Sequence, residues 1–289
     1  MNHRTFALCL LSLAAAGAAR AQYSAHLPDP GTLVVTPTYM YSYYDDAWIG
    51  TMSMPIEQDQ HSGFLAFQYS FTDRFALDAT VGYTWADIEG MGNDDGLTDT
   101  TFGLRAGLLR EVDGHPLTAA LRVGGIIAGS YDEEFPFSAG DGANGVETSL
   151  LVSKSFTDYF GFYGDIGYRW RSDDVPEDFF GSAGLYVTNG TWSLAAGYRG
   201  VAGQDGPDIG APGFGTDFGF PQVKEIQHNL EVSLGYTTPT AIHIAAFYAH
   251  TLDGRNTGEK NIFGLSVTIP IGGSQPPPEP APEPVLPSK

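Results

Sequence analysis

The chain has 289 residues, with 34 acidic against 14 basic side chains and a formal charge of -20. So acidic a balance argues against nucleic acid or an anionic surface as a partner. The single cysteine, Cys9, excludes a disulfide framework.

Residues Met1–Ala21 read as a cleaved secretory signal peptide. Arg4 supplies the positive start, and Phe6–Ala18 is an apolar run too short to span a bilayer as a helix. Ala19-Arg20-Ala21 fits a small-x-small cleavage site. Cys9 lies inside this segment without a lipobox, so the mature chain, starting at Gln22, is expected to carry no thiol. The segment holds Arg4 and Arg20 and no acid, so its removal takes the formal charge from -20 to -22. Export in a Gram-negative bacterium is the context this implies. Residues 22–31 form a short polar lead with Pro28 and Pro30, expected on the periplasmic side.

From there the chain alternates. In SFTDRFALDATVGYTWAD, Ser70–Asp87, residues Phe75, Leu77, Ala79, Val81, Tyr83 and Trp85 share one face, while Asp78, Thr80 and Gly82 share the other. A period of two specifies a β-strand with two unlike faces. The design returns at Ser155–Trp170, SFTDYFGFYGDIGYRW. Twelve such segments are predicted, at about 32–44, 61–71, 74–87, 98–111, 115–128, 146–156, 159–171, 178–188, 191–201, 226–237, 240–251 and 260–271. Most exceed the usual soluble strand of about five or six residues and match the roughly 9–11 that a tilted strand needs to cross a membrane.

The connections take turns in length. Thr72-Asp73, Val112-Asp113-Gly114, Thr157-Asp158, Asn189-Gly190 (a type I′ hairpin signal) and Thr238-Pro239 are tight. The others, 45–60, 88–97, 129–145, 172–177, 202–225 and 252–259, are mostly longer. That sorting is the signature of an up-and-down outer-membrane barrel with short periplasmic turns and longer outer loops. The expected fold is therefore all-β, a transmembrane antiparallel barrel of about 12 strands spanning 32–271. Residues 272–289, with the texture Pro-Glu-Pro, read as a polyproline-type periplasmic tail. Such a tail either touches peptidoglycan or a periplasmic partner, or hangs passively. The outer loops are acidic at Asp45-Asp46, Asp94-Asp95, Asp132-Glu133-Glu134, Asp173-Asp174 and Glu177-Asp178. Solvated loop tips compete there with cation bridging to lipopolysaccharide or a selectivity role.

Tyr83, Trp85, Tyr168, Trp170 and Tyr198 fall toward the outer rim and Tyr236 toward the periplasmic rim, as two aromatic girdles against membrane lipid would require. Asp78, Arg105, Arg122, Asp165, Arg169, Arg199 and Glu231 fall on the opposite faces. A charge on the lipid face near the midplane costs about 2–4 kcal/mol, so these residues mark an interior. Either they line a solute path, where arginine can grip a carboxylate or phenolate, or they pair as ladders that brace a narrow lumen. Gly82, Gly103, Gly124, Gly167, Ser182, Gly184 and Gly197 share that face and are expected to leave room for water or a solute.

The segment GLTDTTFGLRAGLLRE, Gly96–Glu111, resembles the Gly-x-Gly-Asp-Thr motif of the "MetA-pathway of phenol degradation" family of outer-membrane transporters. Gly96, Asp99, Thr100, Gly103 and Arg105 match, and Thr98 stands where the family has glycine. The likeness extends loosely over 30–271. It implies uptake of small hydrophobic or aromatic molecules, by analogy with long-chain fatty-acid transporters. The ten residues before the first strand are too few for the N-terminal plug of those transporters, and twelve strands are fewer than their fourteen.

An enzyme is not expected, and no catalytic residue is assigned. An outer-membrane phospholipase needs histidine and serine side by side; His61-Ser62 puts them on opposite faces, His228 and His250 point outward and His243 is alone inward. The histidines have no metal-ligand spacing, so neither metal nor cofactor is expected. The reading is a monomeric or loosely oligomeric barrel passing small solutes by passive or facilitated diffusion. The alternative is a structural or surface-interaction barrel with a plugged lumen.

Overall fold

The protein is a closed antiparallel barrel of twelve wall strands in a computed structural model that describes residues 25–134 and 140–273. The signal peptide and the Pro-rich tail lie outside the described residues. The strands are β1 (Thr32–Ile49), β2 (Met52–Ser70), β3 (Phe75–Ile88), β4 (Gly92–Leu97), β5 (Thr100–Leu109), β6 (Thr118–Ile127) and β7 (Gly145–Ser155). They continue with β8 (Phe160–Arg171), β9 (Asp178–Thr188), β10 (Trp192–Gly203), β11 (Ile226–Thr237), β12 (His243–Arg255), β13 (Thr257–Gly258) and β14 (Asn261–Gly272). Each wall strand pairs with its sequence neighbours, and β1 closes the ring by pairing with both β2 and β14. β4 and β5 are two halves of one wall strand, both paired to β3, and β13 is a short extension against β1. No helix among the described residues is long and apolar enough to cross a membrane.

The repeated SFTD segments owe their likeness to one turn device. Thr72 Oγ1 accepts from the Arg74 and Phe75 amides at 3.2 and 2.9 Å. Thr157 Oγ1 does the same for Tyr159 and Phe160 at 3.2 and 3.0 Å. The flanking phenylalanines pack on each other, Phe71 on Phe75 and Phe156 on Phe160. The hydroxyl supplies the turn's missing partner and the rings cover it. At the Asn-Gly turn the predicted type I′ geometry is not found. Positive φ occurs at Gly190 (85°) and at neither Asn189 nor Thr191. A I′ turn requires it at both central residues. Asn189 instead accepts the Thr191 and Trp192 amides on its side chain, at 3.1 and 2.7 Å.

The wall is uneven, which the sequence reading missed. β1 and β2 run 18 and 19 residues, while most others run 10–14. Residues 45–60, expected as a loop, are the top of a hairpin that turns at Gly50-Thr51; 92–97 and 257–258 are also strand. The cause of the miss is physical. The alternation present, Met52, Met54 and Ile56, is short and stands among Asp45, Asp46, Glu57, Gln58, Asp59 and Gln60, so the stretch reads as a polar loop.

The 204–225 connection is clasped to this rim. Arg255 donates to both oxygens of Asp208, at 2.7 and 2.6 Å. Asn256, at φ 51°, donates to Asp208 and to the Lys224 carbonyl and accepts from the Gly50 and Ile209 amides. The guanidinium of Arg255 holds the Asp208 carboxyl below its usual range. This pair is about one third exposed, so its worth is about 0.5–1 kcal/mol. Because the folded pKa of Asp208 is depressed, the contribution is present above the ordinary aspartate pKa and is lost as pH falls through the folded value. We expect Asp208→Ala to speed chymotryptic cleavage after Phe214 or Phe218 a few-fold at neutral pH. An unchanged rate would mean that other contacts hold the loop.

Candidate functional site: the lumen

The inward positions of β3, β5, β6, β7, β8 and β9 carry a ladder of alternating charge. Arg105 Nε donates to Asp78 at 3.0 Å, and Arg122 Nε and Nη2 lie 2.9 and 2.8 Å from Asp78 Oδ1. Arg122 also donates to Glu147, Glu147 lies 3.4 Å from Arg169, and Arg169 lies 3.5 Å from Asp178. Three cations and three anions thus cancel along a rising line on the inner wall. All except Arg169 are buried, Arg105 completely. Asp165 accepts a hydrogen bond from Ser182. Asp78, Arg105, Arg122, Glu147, Arg169 and Asp178 are thus paired with one another across neighbouring strands.

Arg199 and Glu231 are inward on β10 and β11, next to the ladder's last strand, and remain half-buried. Arg199 is opposite Ser182 and Asn229; Glu231 is opposite Gly197 and Ala249.

The inward glycines do not leave the vacancy expected of them. A Cβ on Gly103 or Gly124 would meet the Arg122 guanidinium at 2.9 Å, so these two make room for the ladder. The others are covered by rings. Phe64 lies on Gly82, Phe180 on Gly167, Tyr163 on Gly184 and Gly197, Tyr186 on Gly161 and Phe247 on Gly264, each ring within about 2.0–2.6 Å of where a Cβ would be. Only glycine lets a ring lie flat on the neighbouring strand. The aromatics therefore pave the wall instead of crossing the lumen. Sequence reasoning missed this inward set. The signal available was parity: each ring alternates in phase with the interior charges. Arg169 also sits 5.1 Å from the Phe180 ring.

The family-motif residues act at the long-loop mouth. The register of β3 shifts by one residue between β4 and β5, a bulge at Thr98-Asp99 that turns Asp99 inward. Asp99 accepts from the Gly129 amide at 3.1 Å, the Tyr131 hydroxyl at 2.5 Å and Arg171 Nη1 at 2.7 Å. Arg171 also reaches Asp141 at 3.2 Å. A Cβ on Gly96 would lie 2.6 Å from the Tyr131 amide nitrogen, so glycine there permits the close approach. Thr100 starts β5 opposite Ile127. Gly96 and Asp99 thereby seat the Gly129–Tyr131 segment on the barrel. Burial and the Asp99 carboxylate push the Tyr131 phenol up.

At the short-turn end the lead enters the barrel, short as it is. Ala25 and Leu27 pack on the inward side chains Ala120 and Leu151. His26 Nε2 is 2.8 Å from Ser153 Oγ. Burial holds His26 below its ordinary value of 6.5, with Glu111 pulling weakly the other way.

The remaining predicted residues point outward. Tyr83, Trp85, Trp170 and Tyr198 are exposed toward the long-loop end. Tyr168 stacks with Phe179, and Tyr236 with Trp192 near the short-turn end, both at 4.9 Å.

Residues 55–267 match the model of a protein family described as "Putative MetA-pathway of phenol degradation". The chain belongs to this family. No curated protein sequence matches it. Among solved structures it is similar to an outer membrane channel from Pseudomonas putida F1, with a TM-score of 0.70 and 14% identity over 85% of this chain and 97% of that one. The NanC porin aligns with a TM-score of 0.49 and 11% identity, over 82% and 98% of the two chains. The first of these likenesses is one of fold: the closed twelve-strand barrel.

Two outcomes follow for this family member. Arg122→Ala leaves two buried carboxylates short of a partner, which costs about 3–5 kcal/mol. Urea unfolding in detergent should show that loss, and Arg122→Met should recover part of it by refilling the volume. A midpoint unchanged in Arg122→Ala would mean that the ladder braces nothing. For His26 the sign is fixed by its lowered pKa. The undocked lead takes up a proton first, so docking weakens as pH falls below about 6.5, by at most tenfold per unit for one group. Measured against a free thiol at the same pH, whose thiolate fraction itself falls in acid, an Ala25→Cys variant should lose protection from labelling as pH falls, and His26→Gln should flatten that dependence. A protection factor independent of pH with His26 present would refute the assignment.

Proposed function

We propose that this barrel resides in the outer membrane and passes small hydrophobic or aromatic solutes by diffusion through its lumen. The observation that carries the reading is the paved wall. Thr38, Met40, Phe64, Ala66, Ser233 and Phe247 are inward by strand parity, yet all are only half-buried. Their exposure is to the lumen, beside β1, β2, β11 and β12. Flat ring faces there offer stacking without hydrogen-bond selectivity. Arg199 and Glu231 border the same space and supply orientation. The family's description supports an aromatic solute, and the similar outer membrane channel supports a conducting barrel.

The outward aromatics fit this placement as interfacial girdles, Tyr83, Trp85, Tyr168, Trp170 and Tyr198 at the outer leaflet and Tyr236 at the periplasmic one. Lipid and lipopolysaccharide would then be the barrel's surroundings. A second reading has its own observation: the paired ladder and the docked lead favour a plugged, structural barrel.

Planar-bilayer recording separates them. The purified protein should give discrete conductance steps, and millimolar phenol should block them transiently. Stacking is worth about 0.5–1.5 kcal/mol per ring. The double variant Phe64→Ala/Phe247→Ala should therefore weaken the block roughly 5- to 150-fold while conductance persists. Absence of any conductance step would overturn the channel reading and leave the structural one.

A further inference from the structure

A cavity of about 1080 Å³ opens at the long-loop end. Three connections wall it. The first contributes Glu134, the 172–177 segment contributes Asp173, Asp174 and Glu177, and 204–225 contributes Asp205 and Asp217. These connections are laced together, so the cavity is built rather than incidental. The Phe220 amide donates to Glu134 at 3.3 Å, the Gln204 amide to the Glu177 carbonyl at 2.8 Å, and Gln222 Nε2 to the Asp173 carbonyl at 3.5 Å.

Arg171 is the one cation among the described residues that line it. Its guanidinium is already committed to Asp99 and Asp141. Below it, Arg105, Arg122 and Arg169 are committed to the ladder. The arginines of this half of the pore therefore offer little to a passing carboxylate, and the mouth above them presents six of its own. No group of described residues is set to ligate a metal ion, so these charges act as a field. A sphere of that volume is roughly 13 Å across, and the screening length at physiological salt is about 8 Å. The six fields overlap throughout the cavity, and low-dielectric walls focus them.

We propose that this vestibule makes the pore selective against anions, so that neutral phenols and small cations enter while aromatic carboxylates are turned away. The inference rests on the channel reading above and specifies its substrate class. Asp173 and Asp174 sit at φ 61° and 58°, which asparagine tolerates as aspartate does. Their amides are therefore the suitable replacements.

The test is the reversal potential of the full-length mature protein under a KCl gradient, with current block by phenol and by benzoate in parallel. The wild type should favour potassium over chloride at least about fivefold, less so at molar salt. Phenol should block at lower concentration than benzoate. The variant D173N/D174N/E177Q/D205N should move the potassium preference toward one and strengthen benzoate block, with phenol block unchanged. Asp205→Asn alone should move both part of the way, should the fourfold variant fail to fold. A wild-type pore that prefers chloride, or blocks equally with benzoate and phenol, overturns the vestibule filter while leaving the channel standing. No current at all overturns the channel, and the filter with it.

Discussion

β1 pairs with β14 from Thr32 opposite Gly272 to Tyr43 opposite Asn261, and this closure leaves the sheet without an edge. In a bilayer every backbone amide and carbonyl must find a partner within the protein, because hydrocarbon offers none. The seam is where that demand is hardest to meet. Its pairing lapses between Val35 and Thr38, where Pro37 has no amide to give. There the side chains take over: Thr36 and Thr268 hydroxyls meet at 3.2 Å across the gap. Everything inside the barrel is positioned by this ring, since each wall strand's parity is set by its neighbour's register.

A closed ring of twelve strands encloses a space that side chains must fill, line or brace. The two halves of this barrel answer differently. From β3 to β9 the interior is polar and buried, and charge is cancelled pair by pair. A buried ion pair contributes little net stability, because desolvation offsets the attraction. Its consequence here is geometric: each guanidinium fixes the spacing of adjacent strands. From β10 round to β2 inward charges are fewer, and Phe64 and Phe247 lie half exposed among buried residues such as His243, Ala245 and Ser266. Glycine links the halves. It admits the Arg122 guanidinium at Gly103 and Gly124, and it flattens rings at Gly82 and Gly264. One residue type serves bracing in one half and openness in the other.

The sequence disclosed the barrel through alternation, sorted connections and one-sided charges, all properties of residues within a single strand. It disclosed less wherever the answer depends on two strands at once. That Asp78 meets Arg105 and Arg122, or that Phe64 covers Gly82, follows from register, which alternation leaves open by any even shift. The upper hairpin of β1 and β2 was illegible for a different reason. Its polar residues, Asp45, Asp46 and Glu57 to Gln60, outweigh the short alternation of Met52, Met54 and Ile56. The turn at Asn189-Gly190 was legible as a turn but not in type, because the asparagine side chain caps amides that a type I′ turn would satisfy otherwise. Asp99 could be matched to a motif, but its work of holding Tyr131 and Arg171 spans residues far apart in the chain.

The two mouths are closed by unlike chemistry, and this asymmetry bears on how a solute could be admitted. At the short-turn end the lead is held by apolar burial of Ala25 and Leu27 and by the bond between His26 and Ser153. Burial of that kind is non-directional and insensitive to salt. At the long-loop end, Asp99 with Arg171 and Asp208 with Arg255 hold the connections through charge-assisted bonds. These are short and directional, and where exposed they are screened by ions. An apolar solute arriving in the lumen could compete with the lead for Ala120 and Leu151, because it offers the same kind of contact. It has nothing to offer the charged clasps. On the proposed channel reading, displacement by the solute itself is therefore available at the short-turn end alone, and the long-loop mouth admits its solute through the cavity that its connections define.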